Sequence, residues 1–488
     1  MTQVRVGTNK GGVRTYSSLK EIHPSQLSRA YPSIEGLANH HREEAIKFGD
    51  SYMRFLSRSY VPWDVVRNVG IMVNAKRSLR DQLTFIPHKN GSAFALIRPG
   101  KKPILDKDKV HGVRVLYTHT DAPCLAAKVN PACMEWDPDL RDMHLGVEID
   151  TFGYGGISPH QWAPESLDGR GKFFFVDSLG RRKIKFFHLD GCCPDRSAHT
   201  DMRRREEVED AFKEDNLNVD TGLKSYEELR KAIGLRANTD FAAVELYFVP
   251  RTRPHILGPR FITGYRHDDT CCVFSAVRAL LDSRTPELTT IVLGFDKEEV
   301  GSKGPGGAGD KFFERVLYDT LVNQGVIRST RDMTQGLFDD IASKSLAFDA
   351  DVDVGSSYIE LEDGETPRHI DKFNVAKLGY GVYINAYRDQ LEGDCVDPAL
   401  VGITMACLGN AKVITQQTGS PLKADFGGVP SMNEFFVARG FNTINVGIPV
   451  AALHSPNEIL CRGDLYGAYR AYMTLLEDKI FFKDLDQF

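Results

Sequence analysis

Thr289-Thr290-Ile291-Val292-Leu293-Gly294-Phe295 is a largely apolar run that reads as a buried strand, and it leads straight into Asp296-Lys297-Glu298-Glu299-Val300-Gly301-Ser302. Two adjacent glutamates are ordinarily a solvated surface. Here they follow a buried strand, and other strand-like runs end in the same way. Val113 to Thr118 leads into His119 and then Asp121, Ser345 to Phe348 leads into Asp349 and Asp351, and an apolar stretch from Val446 to Leu453 precedes His454. Asp268 and Asp269 open an apolar helical stretch. Imidazole and carboxylate groups in this mixture are what divalent zinc, cobalt or manganese prefers.

The same runs set the architecture. Strand and helix alternate over Asp269–Leu281 (helix), Leu288–Phe295 (strand), Lys311–Val322 (helix) and Ser345–Phe348 (strand). Pro398–Leu408 (helix), Phe441–Gly447 (strand) and Asp464–Glu477 (helix) continue the rhythm, which predicts an α/β fold with a mainly parallel sheet. Ligands collect at the carboxyl ends of such strands. Earlier, Glu43–Ser57 reads as a helix and Ser92–Arg98 as a strand. From Lys128 to Arg253 the texture changes: short β pieces at Lys172–Val176, Lys183–Phe187 and Ala242–Val249 alternate with turns and the charged stretch Arg203–Lys224. This predicts an insertion, with a first domain half over residues 1–127, the insertion over 128–254 and the second half over 255–488.

A chain of 488 residues has room for such an arrangement. Its net charge of -5, with both signs interspersed, gives no electrostatic case for nucleic acid or an anionic membrane. Met1 to Gly7 lacks the apolar core of a signal peptide, and no run approaches the roughly 18 apolar residues of a membrane span. A cytoplasmic location is expected. The nine cysteines show no CxxC spacing, so they suggest neither a zinc knuckle nor a disulfide framework. Cys272 is expected on an apolar helix face.

Each candidate has a plain structural alternative. His119-Thr120-Asp121 places imidazole and carboxylate on one side of an extended segment, where Asp121 can orient the ring or raise its basicity. One of Asp268 and Asp269 is expected to cap the helix they open, leaving the other for a metal. Asp349, Asp351 and Asp353 are expected to share a strand face. Gly304-Pro305-Gly306-Gly307-Ala308-Gly309 matches GxGxxG, but eight residues separate it from the strand and Pro305 stiffens it. It therefore reads as a flexible loop beside the site rather than a dinucleotide or phosphate loop.

In order, His119-Thr120-Asp121-Ala122-Pro123, Tyr154-Gly155-Gly156, Arg266-His267-Asp268-Asp269, Asp296 to Ser302, Ala350-Asp351 and His454-Ser455-Pro456 resemble the M18 metalloaminopeptidases, over about residues 110 to 480. The resemblance implies a zinc-peptidase-like three-layer α/β domain interrupted by a β-rich dimerisation domain, assembled into tetrahedral dodecamers. It implies two divalent ions per subunit: His119 and Asp351 would complete the ligands of separate metals, as would Glu299 and His454, with Asp268 bridging and Glu298 as general base. His160 matches a family histidine that reaches a neighbouring subunit's active site. The family's arginine-leucine-aspartate-asparagine pattern reads Arg266-His267-Asp268-Asp269 here, which leaves open whether Asp268 or Asp269 bridges and whether His267 touches the site.

Acidic-specific members carry a pocket lysine that Leu378 to Asn385 does not offer. The expected activity is therefore release of amino-terminal residues from peptides with neutral or broad specificity, the alternative being an aspartyl or glutamyl preference. Three rivals are weighed against it: a related deacylase or carboxypeptidase, a noncatalytic assembly scaffold of the same fold, and a nucleotide-dependent oxidoreductase.

Overall fold

The computed structural model describes residues 39–106, 109–132, 147–163, 165–194, 217–235, 241–356, 375–385, 396–418 and 432–477. The amino-terminal stretch and most of the charged stretch Arg203–Lys224 lie outside the described residues.

Thr290–Phe295 is a strand buried along its whole length, as its apolar run predicts. Arg114–His119 pairs with it in parallel, Leu346–Asp349 with Arg114–His119, and Asn442–Ala451 with Leu346–Asp349. These four strands form the centre of a 13-stranded sheet. Successive side chains point to opposite faces, so Leu116, Val292 and Phe348 join one core while Val115, Tyr117, Ile291 and Leu293 join another. Helices Asn39–Leu56, Pro62–Ala75, His267–Asp282, Pro398–Asn410 and Arg462–Glu477 pack on the first face. Phe312–Asn323, Gln335–Ser343 and Met432–Val437 pack on the second. Strands sandwiched this way have no polar face, which is why they read as continuous apolar runs rather than alternating ones.

The sheet is mixed, not mainly parallel. Phe94–Arg98 pairs antiparallel with Thr290–Phe295 on one flank, and Glu458–Cys461 pairs antiparallel with Asn442–Ala451 on the other. Both are reached by connections that reverse the chain, and such reversals leave no mark in hydrophobic periodicity.

Six further strands close a barrel: Cys124–Ala132, Glu148–Tyr154, Ser166–Val176, Arg182–Cys192, Val219–Asp220 and Val244–Pro250. Its core holds Leu125, Ile149, Leu167, Phe173, Leu189 and Phe248. The first barrel strand opens at Cys124, only five residues after the central strand ends at His119, so sheet and barrel meet at one short connection. Among the described residues no helix is long and apolar enough to cross a membrane.

Candidate metal centre

His119 is the last residue of its strand and is 1 % exposed. Its Nδ1 lies 3.2 Å from the main-chain oxygen of Asp121 and 3.4 Å from the Asp121 carboxylate. Both are acceptors, so Nδ1 is placed to donate, which would leave the Nε2 lone pair to a bound cation. That Nε2 lies 2.9 Å from Asp268 Oδ1 and 3.3 Å from Asp351 Oδ1. His454 is arranged the same way. Its Nδ1 faces the Gly156 carbonyl at 3.1 Å, and its Nε2 lies 3.3 Å from Asp268 Oδ2 and 3.6 Å from Glu299 Oε2. A ligating histidine usually donates its second ring nitrogen to such a carbonyl or carboxylate. The two carboxylate oxygens of Asp268 thus face the Nε2 atoms of two different histidines.

Asp268 and Asp269 occupy the first turn of the helix His267–Asp282, yet neither caps it. The capping position is Arg266 in a left-handed conformation, and Asp268 and Asp269 have non-helical backbone angles. Those angles turn Asp268 toward the histidines, while Asp269 accepts the main-chain N–H of His119 at 3.2 Å. His267, fully buried, faces away and bonds Tyr52 Oη at 2.8 Å. Asp349, Asp351 and Asp353 do not form one strand face either. The strand ends at Asp349 and the next begins at Val352, leaving Asp351 in the break.

Glu298 and Glu299 lie in a single helical turn after the strand, and Asp121 holds that turn. Its two oxygens accept the main-chain N–H groups of Glu298 at 3.1 Å and Glu299 at 3.2 Å. Tyr154, the last residue of a barrel strand, donates its hydroxyl to Asp121 at 2.8 Å. Gly155 follows with φ +70°, and a Cβ there would lie 2.9 Å from Glu299 Oε2. Only glycine lets this loop cross so close to Glu299.

The glycine tract is a hydrogen-bonded turn rather than a loose loop: the Asp296 main-chain N–H donates to the Gly306 carbonyl, and a Cβ on Gly307 would lie 2.3 Å from Ser302 O. His160 is exposed on the short helix Pro159–Trp162 and is not among the converging side chains.

Glu458 belongs to the site and was not singled out by sequence. It is 1 % exposed and accepts the main-chain N–H groups of Asp268 at 3.2 Å and His454 at 3.0 Å. A carboxylate opening the apolar run Glu458-Ile459-Leu460-Cys461 is the signal that could have exposed it.

Crowded carboxylates cannot all be charged in a buried space unless cations balance them. Burial, joined by Asp351, Asp121 and Asp268, pushes Glu298 up to about 8 against the pull of His119. Burial and Asp268 likewise raise Glu458 to about 8. His454 is pulled down by burial, but Glu299, Asp268 and Glu458 outweigh this and raise it to about 10. Burial would raise Asp268 too, yet the imidazoles of His119 and His454 beside it hold it below the ordinary aspartate value.

Asp268 Oδ1, Asp269 Oδ1 and Glu299 Oε1 are buried with no hydrogen-bond donor among the described residues. His119 and Asp351 bring ligand atoms within 4.8 Å of Asp269, and His119, Asp268 and Glu299 do so with one another. Orphaned oxygens opposite imidazole Nε2 atoms, in a nitrogen and oxygen donor set, fit divalent cations. Asp269, Cys271 and Cys272 also bring ligand atoms together, and Cys272 lies on the apolar helix face as expected.

The family model described as aminopeptidase I zinc metalloprotease (M18) matches residues 81–476. A probable M18 family aminopeptidase 1 from Thermotoga maritima is 28% identical over 481 residues, covering 90% of this chain and 98% of that protein. The crystal structure of an M18-family aminopeptidase from Thermotoga maritima superposes with a TM-score of 0.75 at 26% identity, over 92% of this chain and 99% of the other. At 16% identity, the S. cerevisiae mApe1 dodecamer shares the fold with a TM-score of 0.65, over 90% and 98% of the two chains. With the model match spanning most of the chain around this cluster of histidines and carboxylates, the protein belongs to the M18 family of zinc metalloaminopeptidases.

Proposed function

We propose that Asp268 would be shared by two divalent ions, zinc by the family's description, and that His119 and Asp351, which the resemblance divides between the ions, would together complete one ligand set and His454 and Glu299 the other, since each carboxylate faces its histidine. The observation that carries this reading is the position of Asp268 between two histidine Nε2 atoms, 2.9 Å and 3.3 Å away. Bound there, such ions supply Lewis acidity toward a peptide carbonyl and bring the pKa of water to about 7.

Glu298 is the general base. Its neighbour Glu299 is turned to His454, and Asp121 fixes both main-chain amides, so one turn aims two carboxylates at different tasks. The Glu298 carboxylate takes a proton from the attacking water and returns it to the leaving amine as the C–N bond breaks. Asp121 keeps His119 in the tautomer that presents Nε2, and Glu458 steadies the backbone of Asp268 and His454.

The substrate is the amino-terminal residue of a peptide, with neutral or broad specificity, because Leu378 to Asn385 supplies no lysine to meet an acidic side chain. An aspartyl or glutamyl preference is the alternative. Rates on a panel of aminoacyl p-nitroanilides, measured after chelation and re-addition of zinc, cobalt or manganese, separate the two. An acidic residue leading the panel would reverse the assignment.

The subunits form a dodecamer, the state of the mApe1 neighbour, built here from dimers with His160 reaching a neighbouring active site. Analytical ultracentrifugation tests the assembly; a monomer with full activity would remove any role for His160.

A further inference from the structure

Lys297 stands between the buried strand and Glu298 with φ 69°, a left-handed conformation that a lysine adopts only under strain. Its carbonyl accepts the N–H groups of Ser302 and Val300 and so closes the turn that carries Glu298 and Glu299. Its side chain does not run to solvent. Nζ donates to Tyr247 Oη at 2.9 Å and lies 3.5 Å from Glu245 Oε1 and 3.7 Å from Asp296 Oδ2. It also sits 5.3 Å and 5.6 Å from the ring centroids of Tyr154 and Tyr247.

Glu245 and Tyr247 belong to the barrel strand Val244–Pro250. Glu245 is braced on both oxygens. Tyr247 Oη donates to Oε1 at 2.7 Å, and Lys172, 1 % exposed, reaches Oε2 at 3.0 Å. Lys172 is in turn held by the Asn90 carbonyl at 3.2 Å and by the Trp63 ring at 4.4 Å. A half-buried ion network of this kind stabilises little that apolar residues could not, because desolvation offsets most of the attraction. What it does supply is direction. The barrel thus grips the turn in two places: through Tyr154 and Asp121 at the main-chain amides, and through Glu245 and Tyr247 at the Lys297 side chain.

We propose that Glu245 and Lys297 are positioning residues for the hydrolysis, an ion pair through which the barrel sets the aim of Glu298. This rests on Glu298 being the base. Neither residue touches the metal ligands with its side chain, so their loss would disturb the turn without emptying the centre.

The test uses full-length enzyme loaded with metal, carrying Glu245→Gln, Lys297→Met, or both. The expected result is a fall in kcat of about ten- to hundredfold, the size that small misplacements of a catalytic group produce. KM and metal content should stay near parental values. Lys297→Arg should recover part of the rate, and the double variant should be no worse than the weaker single one, because both break the shared Glu245–Lys297 contact. If either variant misfolds, Tyr247→Phe, which removes only the bridging hydroxyl, should lower kcat several-fold.

A kcat within twofold of the parent, losses that multiply in the double variant, or a kcat that falls only as metal is lost would overturn the proposal. Glu298→Ala separates the two levels. If it keeps turnover, the base assignment itself fails; if it is inactive while Lys297→Met runs at full rate, only the positioning role fails.

Discussion

The hydroxyl of Tyr154, at the end of a barrel strand, donates to the Asp121 carboxylate at 2.8 Å, at the end of the central sheet. Asp121 in turn holds both glutamate amides, so a barrel residue acts on the turn that faces the metal centre. Hydrogen bonds to buried charged groups are worth about 1.5–3 kcal/mol. Tyr154→Phe should cost stability in that range and lower kcat more than it changes KM. Thermal melts together with steady-state kinetics check this, and an unchanged kcat would reduce Tyr154 to a packing residue.

Glu298→Ala should retain its metal while turnover falls by about 10²- to 10⁴-fold, the usual contribution of a general acid–base group. Elemental analysis of the purified variant beside its rate decides the matter.

Glu299→Ala and Asp351→Ala should each weaken one of the two proposed cation sites, since each faces a different histidine. Metal content should fall from about two ions per chain to about one. Chelating the parent should lower its melting temperature, because a ligand at about 100 times its Kd adds roughly 2.7 kcal/mol to the folded state. Equal loss of both ions in both variants would contradict the division of ligands.

Gly155→Ala places a methyl 2.9 Å from Glu299 Oε2 on a backbone with φ +70°. The conformation alone costs about 1–2 kcal/mol, and displacement of Glu299 adds to it. The variant should need more metal for half-maximal activity, which a titration of the chelated enzyme reads directly.

Asp464 gives the chain a stability trend with pH that owes nothing to the metal. Burial pushes its carboxyl up to about 7, although the N–H groups of Gly379 and Gly381 at 2.6 Å and 2.8 Å pull it down. An unfolded aspartate loses its proton near pH 4. Between about pH 4 and 7 the folded chain therefore keeps a proton that the unfolded chain has released, so stability falls as pH rises through that window. Asp464→Asn should flatten that slope in melts from pH 5 to 8. A slope unchanged by the substitution would assign it to another group.

The sheet's central strands and the residues at their ends were legible because burial on both faces leaves an unbroken apolar run, and its end marks where a polar side chain emerges. His119, Glu298, Glu299 and Asp351 could be picked on that ground, and the ordered motifs carried the family. The helix His267–Asp282 was legible as a helix, but its first turn was not. Capping was the local expectation for Asp268 and Asp269, and only the non-helical backbone there, aimed at residues far away in the chain, replaces it.

Composition and motif order by themselves determined that this is an α/β chain with a histidine and carboxylate cluster. Strand order decided the rest. Bringing Arg114–His119, Leu346–Asp349 and Asn442–Ala451 side by side is what brings together the histidines and carboxylates from distant parts of the chain, and it places one carboxylate between two histidines. It also seats Glu458 under their backbones and locks Lys297 against the barrel. Apart from Glu458 with His454, those contacts join residues 50 or more positions apart, and local periodicity reports burial but not partners.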